Sequence, residues 1–282
     1  MTWEEIIENG NMKGMKAHQA FQEVVQKAIL TSLSHEEAFN YIVFQGGTSL
    51  RFFYGNPRFS EDLDFVLRHE KNRYDLTKKI PKIQRFVSDV FPFLDNVITN
   101  IQKNDEYMQR LVFRTVSNVP EQKIRIHIEL AYVPSYNNQP RILDYQPLNP
   151  AIRVEDQSEI LADKITALGR RSYQKGRDIW DIYFLTVEKQ ISIPWNLVFQ
   201  KAKDYGDKPQ VFKERLLLAS KQVRKKGPSI LTNELSRFLP EPLHDQYSEI
   251  FDKISIRVAD EVENVNRENV KRESAKGENN EG

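Results

Sequence analysis

Residues 46 to 65 read GGTSLRFFYGNPRFSEDLDF, and they limit the possible folds more than any other stretch of the chain. An apolar run of strand length, Tyr41 to Phe44, precedes them. Gly46-Gly47 therefore reads as a tight turn out of a buried strand, with Thr48 opening a helix that stops before Gly55-Asn56-Pro57. From Asp62 to Leu67 acid and apolar residues alternate as a second strand, with Asp62 and Asp64 on one face and Leu63 and Phe65 on the other. Taken alone, the glycine pair needs only a turn of positive φ or a close backbone approach. Its neighbours add more. Thr48 and Ser49 sit where free amides and the helix dipole favour an anion such as phosphate. Two same-face carboxylates repel each other, which costs stability unless a cation or basic partners sit beside them. A phosphate-receptive turn next to paired acids is what metal-dependent phosphoryl or nucleotidyl transfer requires.

Composition closes off several alternatives. A chain of 282 residues can bury a sizeable core, with one catalytic domain and a second subdomain. Lys and Arg number 41 against 40 Asp and Glu, so any nucleic-acid contact must come from local patches and not from net charge. The absence of cysteine removes disulfides, thiolate metal sites and a cysteine nucleophile. No apolar run approaches the roughly 20 residues that span a bilayer, and the N-terminus MTWEEIIENG has no signal-peptide pattern. A soluble, cytoplasmic protein with no membrane contact is expected.

Helices are expected up to about residue 40, with Phe21, Val24, Val25, Ala28 and Ile29 on one face and Ser34 capping a further helix through Glu37. A helical pattern resumes over residues 72 to 95. Strands follow at Arg110 to Val116 and at Lys123 to Val133. In the second, Ile124, Ile126, Ile128 and Leu130 make the apolar face, and Arg125, His127 and Glu129 make a polar face able to line a cleft. Two acids seldom complete a two-metal cluster. Glu129 is the candidate third carboxylate, as ligand or base, against the competing reading of a surface Glu on a half-exposed sheet. His127 is read as a structural histidine.

Pro134 to Pro150 reads as a linker or long loop, and helices follow in EILADKITALGRR, RDIWDIYFLTVEK and residues 195 to 257. From Lys164 to Arg177 there are five cations and no acid, and then come Asp178 and Asp181 on one helical face, where Arg177 can pair with either. Lys164, with Arg170 or Arg171, suits a triphosphate whose charge grows during transfer. A second basic cluster, Lys221, Arg224, Lys225 and Lys226, suits a nucleic-acid backbone. The last residues hold almost nothing apolar and are expected to be disordered. The expected division is residues 1–145 as core with N-terminal helices, 146–260 as a helical subdomain contributing Lys and Asp to the site, and 261–282 as a disordered tail.

The order GGTSLR, RFSEDLDF, a strand with IEL, then ADKITALGRR and RDIWDIYFL resembles the AbiEii/AbiGii nucleotidyltransferase toxin family of type IV toxin–antitoxin systems, over roughly residues 40 to 190. The first two motifs alone indicate the wider polymerase-beta-like nucleotidyltransferase superfamily. The resemblance implies an α+β fold: a nucleotidyltransferase-type mixed β-sheet flanked by helices, followed by a helical C-terminal subdomain. It implies that Gly46, Gly47, Thr48 and Ser49 hold the triphosphate, with Arg51 also among the nucleotide-binding residues. Asp62 and Asp64 would bind Mg2+, Lys164 would meet phosphate, and Asp178 or Asp181 would complete the site. An NTP substrate, an RNA acceptor such as tRNA, and a separately encoded antitoxin are implied as partners, with inhibition of growth or of phage propagation as the outcome. The alternatives are a small-molecule, antibiotic-type nucleotidyltransferase and a non-catalytic nucleotide-binding protein.

Overall fold

The computed structural model describes residues 1–68 and 73–265, which form two compact units meeting in sequence at Asp156 and Gln157. The first contains α1 (Trp3–Met12), α2 (Ala17–His35), β1 (Ile42–Gln45), α3 (Gly46–Tyr54), β2 (Leu63–Leu67) and α4 (Ile80–Val90). It continues through β3 (Asn96–Asn104), β4 (Met108–Val116), β5 (Arg125–Pro134), β6 (Asn138–Ile142) and β7 (Ala151–Glu155). The strands form one mixed sheet in the order β3-β4-β5-β2-β1-β7-β6. β2 runs parallel to β5 and β1 parallel to β7, and the remaining neighbours are antiparallel.

The core follows the apolar periodicities. Phe21, Val25, Ala28 and Ile29 of α2 are fully buried, as are Ile126, Ile128 and Leu130 of β5. A strand that buries every second side chain presents the others to the opposite face. On β5 those others are Arg125, His127 and Glu129, so one face of the sheet is free for chemistry.

Several expectations change. Ser34 caps no new helix: α2 runs through it to His35, and its hydroxyl donates to the Ala151 carbonyl at 3.0 Å. Only a 3-10 turn, Ala38–Asn40, follows. Pro134 to Pro150 contains β6 and is not a linker, and the boundary lies at 156 instead of 145 because β7 pairs with β1 inside the sheet. No sequence pattern predicts β3. It is a polar, mostly exposed edge strand with no burial alternation for a pattern to detect.

The second unit is helical: α5 (Gln157–Arg170), α6 (Gly176–Tyr183), α7 (Trp195–Asp204), α8 (Pro209–Leu235), α9 (Glu241–Ser248) and α10 (Phe251–Glu263). Trp180, Phe184, Phe212, Leu216 and Val258 are buried within it. A lysine is buried there too: Lys201 meets Glu159 at 2.5 Å and Asp163 at 3.0 Å. The tail expected from residue 261 is displaced by α10, which reaches Glu263; beyond residue 265 that expectation lies outside the described residues. Among the described residues no helix is long and apolar enough to cross a membrane.

Candidate active site

Asp64 pairs in register with Gln45 on β1 and with Glu129 on β5, and Glu129 faces Arg110 on β4. Opposed residues on neighbouring strands point to the same face, so these four form a row across the sheet. Asp62, two residues before Asp64, shares that face. Its Oδ1 lies 2.9 Å from Nδ1 of His127. A carboxylate only accepts, so Nδ1 of His127 carries the proton. Asp62, Asp64 and Glu129 therefore share the sheet's polar face.

Glu129 is already engaged. Nε of Arg110 meets its Oε1 at 2.8 Å, and Nη2 donates to Oε2 at 3.2 Å. Both side chains are partly exposed, so the pair contributes little and is cheap to open. The parity that put Glu129 on the polar face also put His127 there, and that was the available signal for His127. Arg110 depends on strand register, which one sequence does not supply.

The glycines are set against these groups. Gly46 has φ +81, a backbone region that L side chains rarely adopt, and a Cβ there would lie 2.6 Å from Oδ2 of Asp64. Its missing side chain lets the backbone lie close against that oxygen. A Cβ on Gly47 would collide with the guanidinium of Arg58 and lie 2.9 Å from Oγ of Ser60. The hard carboxylate oxygens of Asp62 and Asp64 are a donor set that fits Mg2+.

Thr48 and Ser49 lie in the first turn of the glycine-led helix. α3 starts at Gly46, ahead of Thr48, and the Thr48 hydroxyl donates to the Asp62 carbonyl at 2.5 Å while Ser49 is fully buried. The Thr48 side chain serves the fold, and the main-chain amides of the first helical turn are the groups suited to an anion. Arg51 is likewise occupied: Nε meets Glu23 at 2.6 Å, Nη1 donates to the Pro57 carbonyl at 2.7 Å, and the guanidinium lies over Phe59. It holds the loop before β2. Arg58, fully buried, donates to the Phe59 carbonyl at 2.9 Å in the same loop.

In the helical unit, Lys164 of α5 bridges Asp178 Oδ1 at 3.1 Å and Asp181 Oδ2 at 2.8 Å, both on α6. Asp178 also pairs with Arg171. Asp181 is fully buried and Asp178 nearly so. Arg177 sits about a hundred degrees round the helix from Asp178, pairs with Glu234 at 2.9 Å and covers Phe238. Lys175 lies close by, and burial, with Arg171 and Arg177 adding repulsion, lowers its pKa below the ordinary lysine value. On α8, Lys221, Lys225 and Lys226 are exposed, whereas Arg224 is held by Asp260 at 2.8 Å and Glu263 at 2.9 Å.

The family described as nucleotidyl transferase AbiEii toxin, type IV TA system, matches residues 28–262. No curated protein matches the chain. Among solved structures, it is similar to MenT4, a nucleotidyltransferase toxin from Mycobacterium tuberculosis, at 18% identity and TM-score 0.55, covering 92% of this chain and 89% of that one. It is also similar to JHP933 from Helicobacter pylori, at 19% identity and TM-score 0.51, covering 91% and 95%. At such identities the structural likeness concerns the fold.

Proposed function

The chain belongs to the AbiEii nucleotidyltransferase toxin family, and on that premise we propose that it transfers a nucleotide from an NTP to an RNA acceptor, tRNA foremost, in a magnesium-dependent reaction that an antitoxin opposes. It is a nucleotidyltransferase of a toxin–antitoxin family. The acceptor, the metal and the residue roles are the proposed part, as is the resulting block on growth or phage propagation.

In the reaction an acceptor hydroxyl oxygen forms a bond to the α-phosphorus, the bond to the β-phosphate breaks, and pyrophosphate leaves with the electron pair. The hydroxyl proton passes to a base. Asp62 and Asp64 would hold Mg2+, which when bound neutralises phosphate charge. His127 orients Asp62 through its Nδ1 proton. Glu129 is the candidate base, or a further ligand, once it parts from Arg110. The amides of Gly46 to Ser49 receive the triphosphate. Lys164 meets phosphate, with Asp178 and Asp181 fixing its ammonium. The observation that carries this reading is the grouping of Asp62, Asp64 and Glu129 on one polar face, beside a helix that opens on two glycines. RNA is favoured over a small acceptor by the exposed Lys221, Lys225 and Lys226, which suit a phosphate backbone.

The test is to incubate purified protein with each labelled NTP, total RNA and increasing Mg2+. Label should enter RNA, rise with Mg2+, and disappear with EDTA or in Asp64→Ala. Label on added aminoglycosides with none on RNA would replace the acceptor, and no transfer under any condition would contradict the reading.

A further inference from the structure

The loop that delivers Asp62 and Asp64 is held from α2 by two buried glutamines. Nε2 of Gln26 donates to the Ser60 carbonyl at 3.0 Å, and Nε2 of Gln22 donates to the Glu61 carbonyl at 3.1 Å. With Thr48 on the Asp62 carbonyl, three consecutive main-chain oxygens are tied to side chains of two helices. A carbonyl can only accept, so each amide must present its nitrogen. Gln22 and Gln26 lie four apart on one face of α2, and the same helix is anchored in the core by Phe21, Val25 and Ile29.

We infer that Gln22 and Gln26 are positioning residues for the carboxylate pair. Like charges on Asp62 and Asp64 push apart, and the cheapest relief would be movement of the loop that carries Asp62. Donors on a packed helix resist that movement at the two residues just before Asp62. The acids are therefore preset for a cation, and the cation does not have to gather them. Both glutamines precede residue 28, where the family match begins, so the family likeness does not supply this role. The inference rests on the reading of Asp62 and Asp64 as cation ligands.

The experiment measures Mn2+ binding to the full-length protein by the loss of the free-ion EPR signal, well below the unfolding temperature. The variants are Gln22→Met/Gln26→Met, which keeps the size and burial and removes both donors, and Asp64→Asn. The double variant should stay folded by circular dichroism and bind Mn2+ roughly ten- to a hundred-fold more weakly, the range for losing partners that orient a metal ligand. It should also raise the metal concentration for half-maximal turnover more than it lowers turnover at saturating metal. A merely structural role would lower the unfolding temperature and leave Mn2+ affinity unchanged. That result, with binding lost in Asp64→Asn, overturns the positioning role alone. Unchanged binding in both proteins overturns the metal reading and the positioning role with it. If the double variant does not fold, Gln26→Met alone is read the same way, with weakened binding in support and unchanged binding against.

Discussion

Asp64 faces Gln45 on one side and Glu129 on the other, with the bare Cα of Gly46 against one oxygen. Asn at this position keeps the shape and removes the charge. Asp64→Asn should lower turnover by more than the roughly hundred-fold cost of losing an outer partner of a metal ligand. The unfolding temperature should hold or rise, because repulsion with Asp62 relaxes. Steady-state kinetics with thermal unfolding checks both, and a folded variant with wild-type turnover rules Asp64 out as a ligand. At Gly47 the cost falls on stability. Gly47→Ala drives a Cβ into the guanidinium of Arg58, which is fully buried and has little room to move. Overpacking of this kind costs about 1–3 kcal/mol, readable as a lower urea midpoint at constant slope. An unchanged midpoint would mean that Arg58 yields freely. The acids and glycines could be read from residue type and spacing. The partners of the Thr48 hydroxyl and of the Arg51 guanidinium were not legible, because what a polar side chain bonds depends on a loop fold that spacing does not encode.

On the helical elements, α5 and α6 share a charge network and α8 carries an exposed basic face, so their lysines should fail in different ways. Lys164→Ala leaves Asp178 and Asp181 without their bridging ammonium, and removing one partner of a buried pair costs about 3–5 kcal/mol. Turnover at saturating RNA should fall as well, with folded protein confirmed first. If only RNA affinity changes, Lys164 belongs to the RNA-binding surface. Lys225→Gln/Lys226→Gln should leave stability within about 0.5 kcal/mol, as for exposed sites in general. It should weaken RNA binding and reduce the log–log salt slope by about 1–2, as expected for two lost phosphate contacts. An unchanged slope would take α8 out of the RNA interface. Strongly periodic elements such as α2 and β5 were legible in the sequence. β3 and β6 were not: β3 is an exposed polar edge, and β6 carries Pro140, which a ladder tolerates only at an edge.

For the whole molecule, the sequence motifs and the family match agree on the chemistry, and the mixed sheet followed by helices agrees with the expected fold class. The unit boundary at Asp156 was hidden because a short strand, β7, returns to pair with β1 across a hundred residues of intervening chain. If the acids bind substrate through Mg2+, Mg2+ with NTP should raise the unfolding midpoint of the wild type, by about 2.7 kcal/mol at a hundred times Kd. It should raise that of Asp64→Asn far less. The most direct measurement gives wild type and Asp64→Asn the same NTP labelled either at the α- or at the γ-phosphate, with RNA and Mg2+, and follows the label on RNA. Nucleotidyl transfer predicts α-label on RNA and γ-label in pyrophosphate for the wild type, with neither product from the variant. Label from the γ-phosphate on RNA, or equal α-labelling by the folded Asp64→Asn protein, would contradict the account.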